Sequence, residues 1–231
     1  MFVRLPEPGF VKTRRGRVVG ARVAAGLYEA FVRDLVAQMP SWPCRVFWAV
    51  APAAAAGGER ARRGSVAEGF AAYFGLSAEA CFEQSGPDLG ARLAAAFARL
   101  RAAGARRCLA IGSDLPHLPT ATIETALARL EQNDLVLGPT RDGGYYLIGL
   151  ARAADLFSAD IAWSTNAVYA QTQARSQALR LRLSKPLEAA FDIDEIDDLR
   201  DLRLLLARNP ELRRQIPATA AAIAALPGPS L

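Results

Sequence analysis

Short apolar runs of strand composition alternate along this chain with stretches whose apolar residues recur every three or four positions. Over 231 residues that alternation limits the fold more than any other feature. It is the pattern of βαβ units, and so of an α/β fold around a mainly parallel sheet. Strands are expected at residues 2–5, 45–50, 80–83, 108–111, 134–137 and 145–150. Helices are expected at 19–38, 65–74, 88–103, 120–130, 165–177 and 196–208, with a short last one at 218–225. In 19–38 the apolar face is Val23, Leu27, Phe31 and Leu35. In 88–103 it is Leu89, Leu93, Phe97 and Leu100, and Gly104 follows as a stop signal. No internal repeat and no linker interrupts the pattern, so a single domain over residues 1–231 is expected.

Composition removes several classes. With 52% hydrophobic and 22% charged residues the chain is not of disordered type. No run approaches the roughly 18 uninterrupted apolar residues of a membrane span. The start meets Arg4 and Pro6 too early for a signal-peptide core. A soluble cytoplasmic protein is the expectation. The net charge is +5, and of 28 basic residues only Lys12 and Lys185 are lysines. The arginines are scattered with no aromatic interleaving, which argues against a nucleic-acid partner. A mild positive balance suits a small anionic ligand such as a nucleotide. Cys44, Cys81 and Cys108 form no C-x-x-C pair and read as structural thiols. His117 is the only histidine, which excludes a histidine-rich zinc site.

In an open α/β sheet the ligand lies beyond the carboxyl ends of the strands, so the loops after each strand hold the candidates. The first runs Pro6-Glu7-Pro8-Gly9-Phe10-Val11-Lys12-Thr13-Arg14. It is either a phosphate cradle using Lys12 and Arg14 beside backbone amides, or a solvated basic loop. The next, Gln84-Ser85-Gly86-Pro87-Asp88, either contacts a nucleotide base or ribose or is a turn with Asp88 as a helix cap. Gly112-Ser113-Asp114-Leu115-Pro116 places a carboxylate at the end of a buried strand, where a hard divalent cation takes oxygen ligands; Asp114 could instead fix the turn. Thr140-Arg141-Asp142-Gly143-Gly144 is either a hairpin turn or a binding wall in which the glycines let the backbone approach a ligand. In Asp192-Ile193-Asp194 alternation puts both acids on one side. Asp194, Glu195, Asp197 and Asp198 also suit a helix start, which leaves Asp192 as the stronger ligand candidate. Trp163-Ser164-Thr165 reads as an aromatic anchor plus helix cap, or as an acceptor contact, and His117 as a loop residue or a general base. At most one of Tyr145 and Tyr146 can face a site.

Taken together and in order, these segments resemble a family. The matching residues are Pro8 to Arg14, Gly112 to Pro116, Val136 to Pro139 running into Asp142 to Gly149, Trp163 to Thr165, and Asp192 to Asp194. The chain resembles DUF2064, glycosyltransferase-like proteins of the GT-A or nucleotide-diphospho-sugar transferase fold that are associated with radical-SAM and selenoprotein-like neighbours. It is more distantly similar to 2-phospholactate guanylyltransferase. The resemblance implies a single GT-A-like domain, a three-layer αβα sandwich. It implies that Lys12 and Arg14 hold phosphates; Gly9 and Thr13 of the same loop, with Gln84, Asp88, Gly143 and Gly144, are the further nucleotide-binding candidates. It implies that Asp114, with Asp192 or Asp194, holds Mg²⁺ or Mn²⁺. Two features depart from the family pattern: His117 stands in place of a usual acid, and the first strand is short.

Three functions follow as expectations. The first is a metal-dependent transferase using a nucleotide-activated donor, with glycosyl transfer from a nucleotide sugar to an acceptor and Asp142 orienting that acceptor or acting as base. The second is nucleotidyl transfer from a nucleoside triphosphate with release of pyrophosphate. The third is a nucleotide-binding module without turnover.

Overall fold

The computed structural model describes residues 1–9, 11, 20–52, 65–190, 192–194 and 196–226. Among these the strands are β1 (Phe2–Val3), β2 (Trp48–Val50), β3 (Cys81–Glu83), β4 (Cys108–Ile111), β5 (Leu135–Pro139) and β6 (Tyr145–Leu150). The helices are α1 (Ala21–Gln38), α2 (Val66–Phe74), α3 (Leu89–Ala102), α4 (Thr120–Arg129), α5 (Val168–Ala178), α6 (Ile196–Arg208), α7 (Pro210–Gln215) and α8 (Pro217–Ala224). The fold is α/β and contains a parallel sheet. None of these helices is long and apolar enough to cross a membrane.

The chain forms two compact units. The first comprises residues 1–2, 83–112 and 119–191, and the second residues 3–82, 113–118 and 192–231. In the first unit β6 lies between β4 and β5 and runs antiparallel to both, with Cys108 and Leu135 each opposite Leu150. A mainly parallel sheet is the expectation, with the 140–144 loop open between a hairpin turn and a binding wall. The difference arises because the short 140–144 connection can close a hairpin but cannot make a parallel crossover. Residues 183–190 then run parallel along β5, through Ser184 N–H to Leu135 O and Leu187 N–H to Leu137 O (both 2.9 Å). The core of this unit joins Leu135, Leu137, Ile148 and Leu150 to Leu93 and Phe97 of α3. Each such side chain stabilises the unit by roughly 1.5–3 kcal/mol.

In the second unit β1, β2 and β3 lie side by side in that order, each joined to the next through a helix, the kind of connection that a parallel pair needs. Trp48 is fully buried, with the Phe70 ring of α2 at 5.8 Å, and Leu27, Phe31 and Leu35 of α1 are buried as well. Helix α2 opens on a capping box. Ser65 Oγ accepts Glu68 N–H (3.2 Å), and the Glu68 carboxylate accepts Ser65 N–H (3.0 Å). Gly75, at φ +67°, closes the helix in the left-handed conformation that glycine adopts without strain.

Three expectations change in detail. Val23 is 40% exposed, because α1 turns Ala24, Leu27, Tyr28 and Phe31 inward. β1 stops at Val3, because Arg4 N–H goes to the Tyr28 hydroxyl and Glu7 N–H to Leu5 O, so neither extends the strand. Helix α5 starts at Val168 rather than 165. Ser164 is at φ +64° and Thr165 Oγ1 bonds Ala162 O, which makes a turn first.

Candidate functional site

In the second unit the carboxylate loop is held on several sides. Leu115 is 2% exposed, and its C=O accepts Leu118 N–H (3.1 Å), which turns the chain. The Asp114 C=O accepts Ile193 N–H (3.1 Å). This bond ties the Asp114 loop to the Asp192-Ile193-Asp194 segment, so those predicted acids do come from adjoining stretches of backbone. Ile193 is fully buried while Asp192 and Asp194 are half-buried, as expected if both acids lie away from the core. Asp198, in the first turn of α6, accepts Asp194 N–H (2.8 Å) and so fixes that end of the segment. Asp197 instead pairs with Arg200 on the surface.

Two further side chains on α1 reach this loop. The buried Tyr28 hydroxyl accepts Arg4 N–H and bonds the buried Ser113 Oγ, both at 2.9 Å. Burial, and secondarily the Asp114 charge, pushes the phenol's ionisation far up, so it remains a neutral O–H. Gln38 Nε2 donates to Pro116 O (3.0 Å). Sequence reasoning missed both residues, because a tyrosine within the buried periodicity of a helix looks like core. His117 in the same loop is half-buried, and burial pushes its imidazole down to about 4. It is neutral at pH 7, too weak a base there to match a general-base role.

In the first unit the loop before α3 is built as a turn and cap. Asp88 Oδ1 accepts Ala91 N–H (2.8 Å), and Arg92 Nε donates to Gly86 O (3.0 Å). Gln84 is buried in the same loop. A Cβ on Gly90 would lie 2.3 Å from the Trp163 ring, so the indole packs flush on the first turn of α3. Its Nε1 donates to Ser158 O (3.3 Å). Trp163 is thus the aromatic anchor, and Thr165 forms the turn ahead of α5.

The Asp142 loop is a hairpin turn between β5 and β6. Asp142 Oδ1 accepts both the Thr140 hydroxyl (2.5 Å) and Gly144 N–H (3.1 Å), and Thr140 N–H closes onto Gly144 O (3.1 Å). One oxygen of this exposed carboxylate therefore holds the turn. Tyr169 N–H donates to Gly143 O (3.0 Å) at the tip. Gly143 has φ +87°, and a Cβ there would fall 2.1 Å from Asn166 O. Gly143→Ala is therefore expected to destabilise by about 2 kcal/mol or more. A thermal melt should show a loss of roughly 4–8 °C, and an unchanged midpoint would mean that the turn is not locked. Tyr146 Oη donates to Glu188 O (3.1 Å), while Tyr145 is directed into the core cluster. Burial pushes both phenols up, Tyr146 to about 12.

Of the first-strand loop, Gly9 takes φ +84° and Val11 is buried, while Lys12, Thr13 and Arg14 lie outside the described residues, as does Glu195. The sequence profile of the family described as "Uncharacterized protein conserved in bacteria (DUF2064)" matches residues 35–165. The chain belongs to the DUF2064 family. It is also similar to a solved protein from Desulfovibrio desulfuricans G20 described as a "putative nucleotide-diphospho-sugar transferase". That similarity has 33% identity and a TM-score of 0.84, and it covers 96% of this chain and 91% of the other. No curated protein matches the chain.

For this DUF2064 protein the family match contains Gln84, Asp88, Asp114, Asp142, Gly143 and Gly144. Gly9, Lys12, Thr13, Arg14, Asp192 and Asp194 fall outside it. Among the described residues no three histidine, cysteine or acidic side chains gather into a preformed metal cluster. Magnesium-type sites need less than that. They use one or two carboxylates and complete their shell with phosphate oxygens and water. Asp114 and Asp192, on segments joined by the Ile193–Asp114 bond, fit that smaller set in chemistry. The three cysteines are free thiols whose ionisation burial pushes up, as in structural positions.

Proposed function

We propose that this DUF2064 protein is a metal-dependent transferase acting on a nucleotide-activated donor, and that the donor is a nucleotide sugar. The observation carrying this reading is the backbone bond from Ile193 to Asp114, which holds two carboxylate-bearing segments together beyond the end of β4. The solved relative adds support through its own description as a "putative nucleotide-diphospho-sugar transferase". In this reading Asp114 and Asp192, with Asp194 beside them, would hold Mg²⁺ or Mn²⁺. Such an ion, when bound, offsets charge that gathers on the leaving diphosphate.

The remaining roles belong to the chain's own groups. The loop of Gly9, Lys12, Thr13 and Arg14 holds the phosphates. Gln84 and the Asp88 turn take the base or ribose, with the Gly143–Gly144 backbone against the nucleotide. Asp142 orients the acceptor hydroxyl from a turn that Thr140 and Gly144 keep rigid. His117 contributes no proton transfer at neutral pH.

A thermal-shift panel tests this reading: nucleotide sugars, nucleoside diphosphates and nucleoside triphosphates, each with and without Mn²⁺, with Asp114→Ala as control. Ligand at about 100 times its dissociation constant adds roughly 2.7 kcal/mol, which is about 5–10 °C for a chain of this size. The expected result is a Mn²⁺-dependent shift, largest for a nucleotide sugar and lost in Asp114→Ala. A largest shift with a triphosphate, together with pyrophosphate release, would replace glycosyl transfer by nucleotidyl transfer. Equal shifts in wild type and Asp114→Ala would remove Asp114 from the site.

A further inference from the structure

We infer that Tyr28 is a positioning residue for Asp114: its hydroxyl, held between Arg4 N–H and Ser113 Oγ, fixes the loop that presents the carboxylate. The inference rests on the reading of Asp114 as an ion ligand. Its geometry is contained within the second unit.

Tyr28 is 3% exposed and Ser113 is 5% exposed, so both hydroxyls lie where an unbonded polar group is costly. A phenylalanine would fill the same space in α1 with no polar atom to satisfy. The hydroxyl is therefore not needed for packing, and its partners define its role. A phenol oxygen can accept and donate at once. The Arg4 amide can only donate, which leaves the phenol proton available to Ser113 Oγ. One hydroxyl thereby joins the end of β1, where the Gly9 loop begins, to the residue immediately before Asp114.

Around Asp114 the other constraints act from different directions. Gln38, ten residues further along α1, holds Pro116 O, so one rigid helix grips both ends of the loop. Leu115 is anchored in the core, and the Asp114 C=O is taken by Ile193 N–H. Without the Tyr28 bond, Ser113 loses its tie to α1, and the backbone torsion that aims the Asp114 side chain is held from one side only. A ligand's supporting groups typically matter by 10–100-fold in metal affinity.

The test uses the full chain with Tyr28→Phe, Ser113→Ala, the double variant and Asp114→Asn. Hydrogen exchange without metal is read on a peptide spanning residues 112–118, with the β5–β6 hairpin as reference. Mn²⁺ affinity is read by electron paramagnetic resonance in the presence of a nucleoside diphosphate. The inference expects exchange about 10-fold faster in 112–118 alone and Mn²⁺ bound roughly 10-fold more weakly. Either single variant should show this, with no further loss in the double variant. Wild-type exchange in 112–118 would overturn it, as would a Mn²⁺ affinity within about twofold of wild type while Asp114→Asn binds none. Faster exchange throughout the chain with unchanged affinity would make Tyr28 merely structural, and so would also overturn it. Failure of wild type itself to bind Mn²⁺ would instead sink the reading of Asp114 as a ligand. Ordinary exchange in 112–118 of Tyr28→Phe would then still overturn the positioning role on its own.

Discussion

Replacing Asp34 by alanine should lower stability by roughly 2–5 kcal/mol, because it leaves one buried and one part-buried amide without this acceptor. Asp34 lies on α1 and is 1% exposed. Its Oδ1 accepts Ala218 N–H (3.0 Å) and its Oδ2 accepts Thr219 N–H (2.7 Å). Those are the first two amides of α8, since Pro217 has none to offer. The residue in the capping position is Ile216, which has no side-chain acceptor. A carboxylate from a helix far away in sequence therefore does the work of a cap, and its charge complements the positive end of the helix. Burial raises the carboxyl's pKa above the usual value, with the two amides opposing that shift. A raised acid contributes its stability at low pH and loses it as pH rises through the folded pKa. Asp34→Asn, which keeps one acceptor and carries no charge, should fall between wild type and alanine. The alanine variant should melt about 5–15 °C lower, with the earliest loss of exchange protection in 217–226. A melting point within 1 °C of wild type would show that α8 does not depend on this carboxylate.

Local signals were legible in the sequence, and distant ones were not. β4 and β6 fall at the expected residues, because continuous apolar runs bounded by loop residues leave few alternatives. The α2 capping box and the Asp88 cap are three-residue patterns that can be read directly. α7 went unseen, although Asn209 followed by Pro210 is a start signal: Asn209 Oδ1 accepts Leu212 N–H (3.0 Å) and Pro210 stands at the first position. The antiparallel place of β6 was hidden, because a hairpin and a binding wall share the same Asp-Gly-Gly string. For the candidate site, the rule that ligands lie beyond the carboxyl ends of strands singled out Asp114, Asp192 and Asp142 as candidates. It could not show that Asp142 Oδ1 is bound within its own turn, or that Tyr28 reaches Ser113 85 residues away. The Asp34 contact spans 185 residues. Such partners are set by how α1 packs, and no window along the chain contains that information.

The single histidine provides the other large effect. Burial is the cause that lowers His117 to about 4 in the folded protein, against 6.5 for an exposed imidazole. A depressed base means that the unfolded chain binds the extra proton between those two values. Folding stability therefore falls as pH drops from about 6.5 to about 4 and is unaffected by this group above that window. The full difference corresponds to roughly 3 kcal/mol, and a side chain that keeps some solvent contact should realise about 2–3 kcal/mol of it. Denaturant midpoints at several pH values should show this decline in wild type, and a profile flatter by that amount in His117→Gln. Other carboxyls titrate equally in both proteins, so the difference between profiles isolates the imidazole. Nuclear magnetic resonance gives a direct check. The sequence contains one histidine, so one imidazole signal should titrate with a midpoint near 4. A midpoint near 6.5, or parallel stability profiles, would show that the ring is solvated. The consequence for the loop is electrostatic. A neutral ring three residues after Asp114 adds no positive charge to that loop at pH 7. Folded His117 takes up its proton only near pH 4, which places a positive charge in the same loop there, so in wild type Mn²⁺ affinity should fall at the acid end of the stability decline rather than across it, and less steeply in His117→Gln.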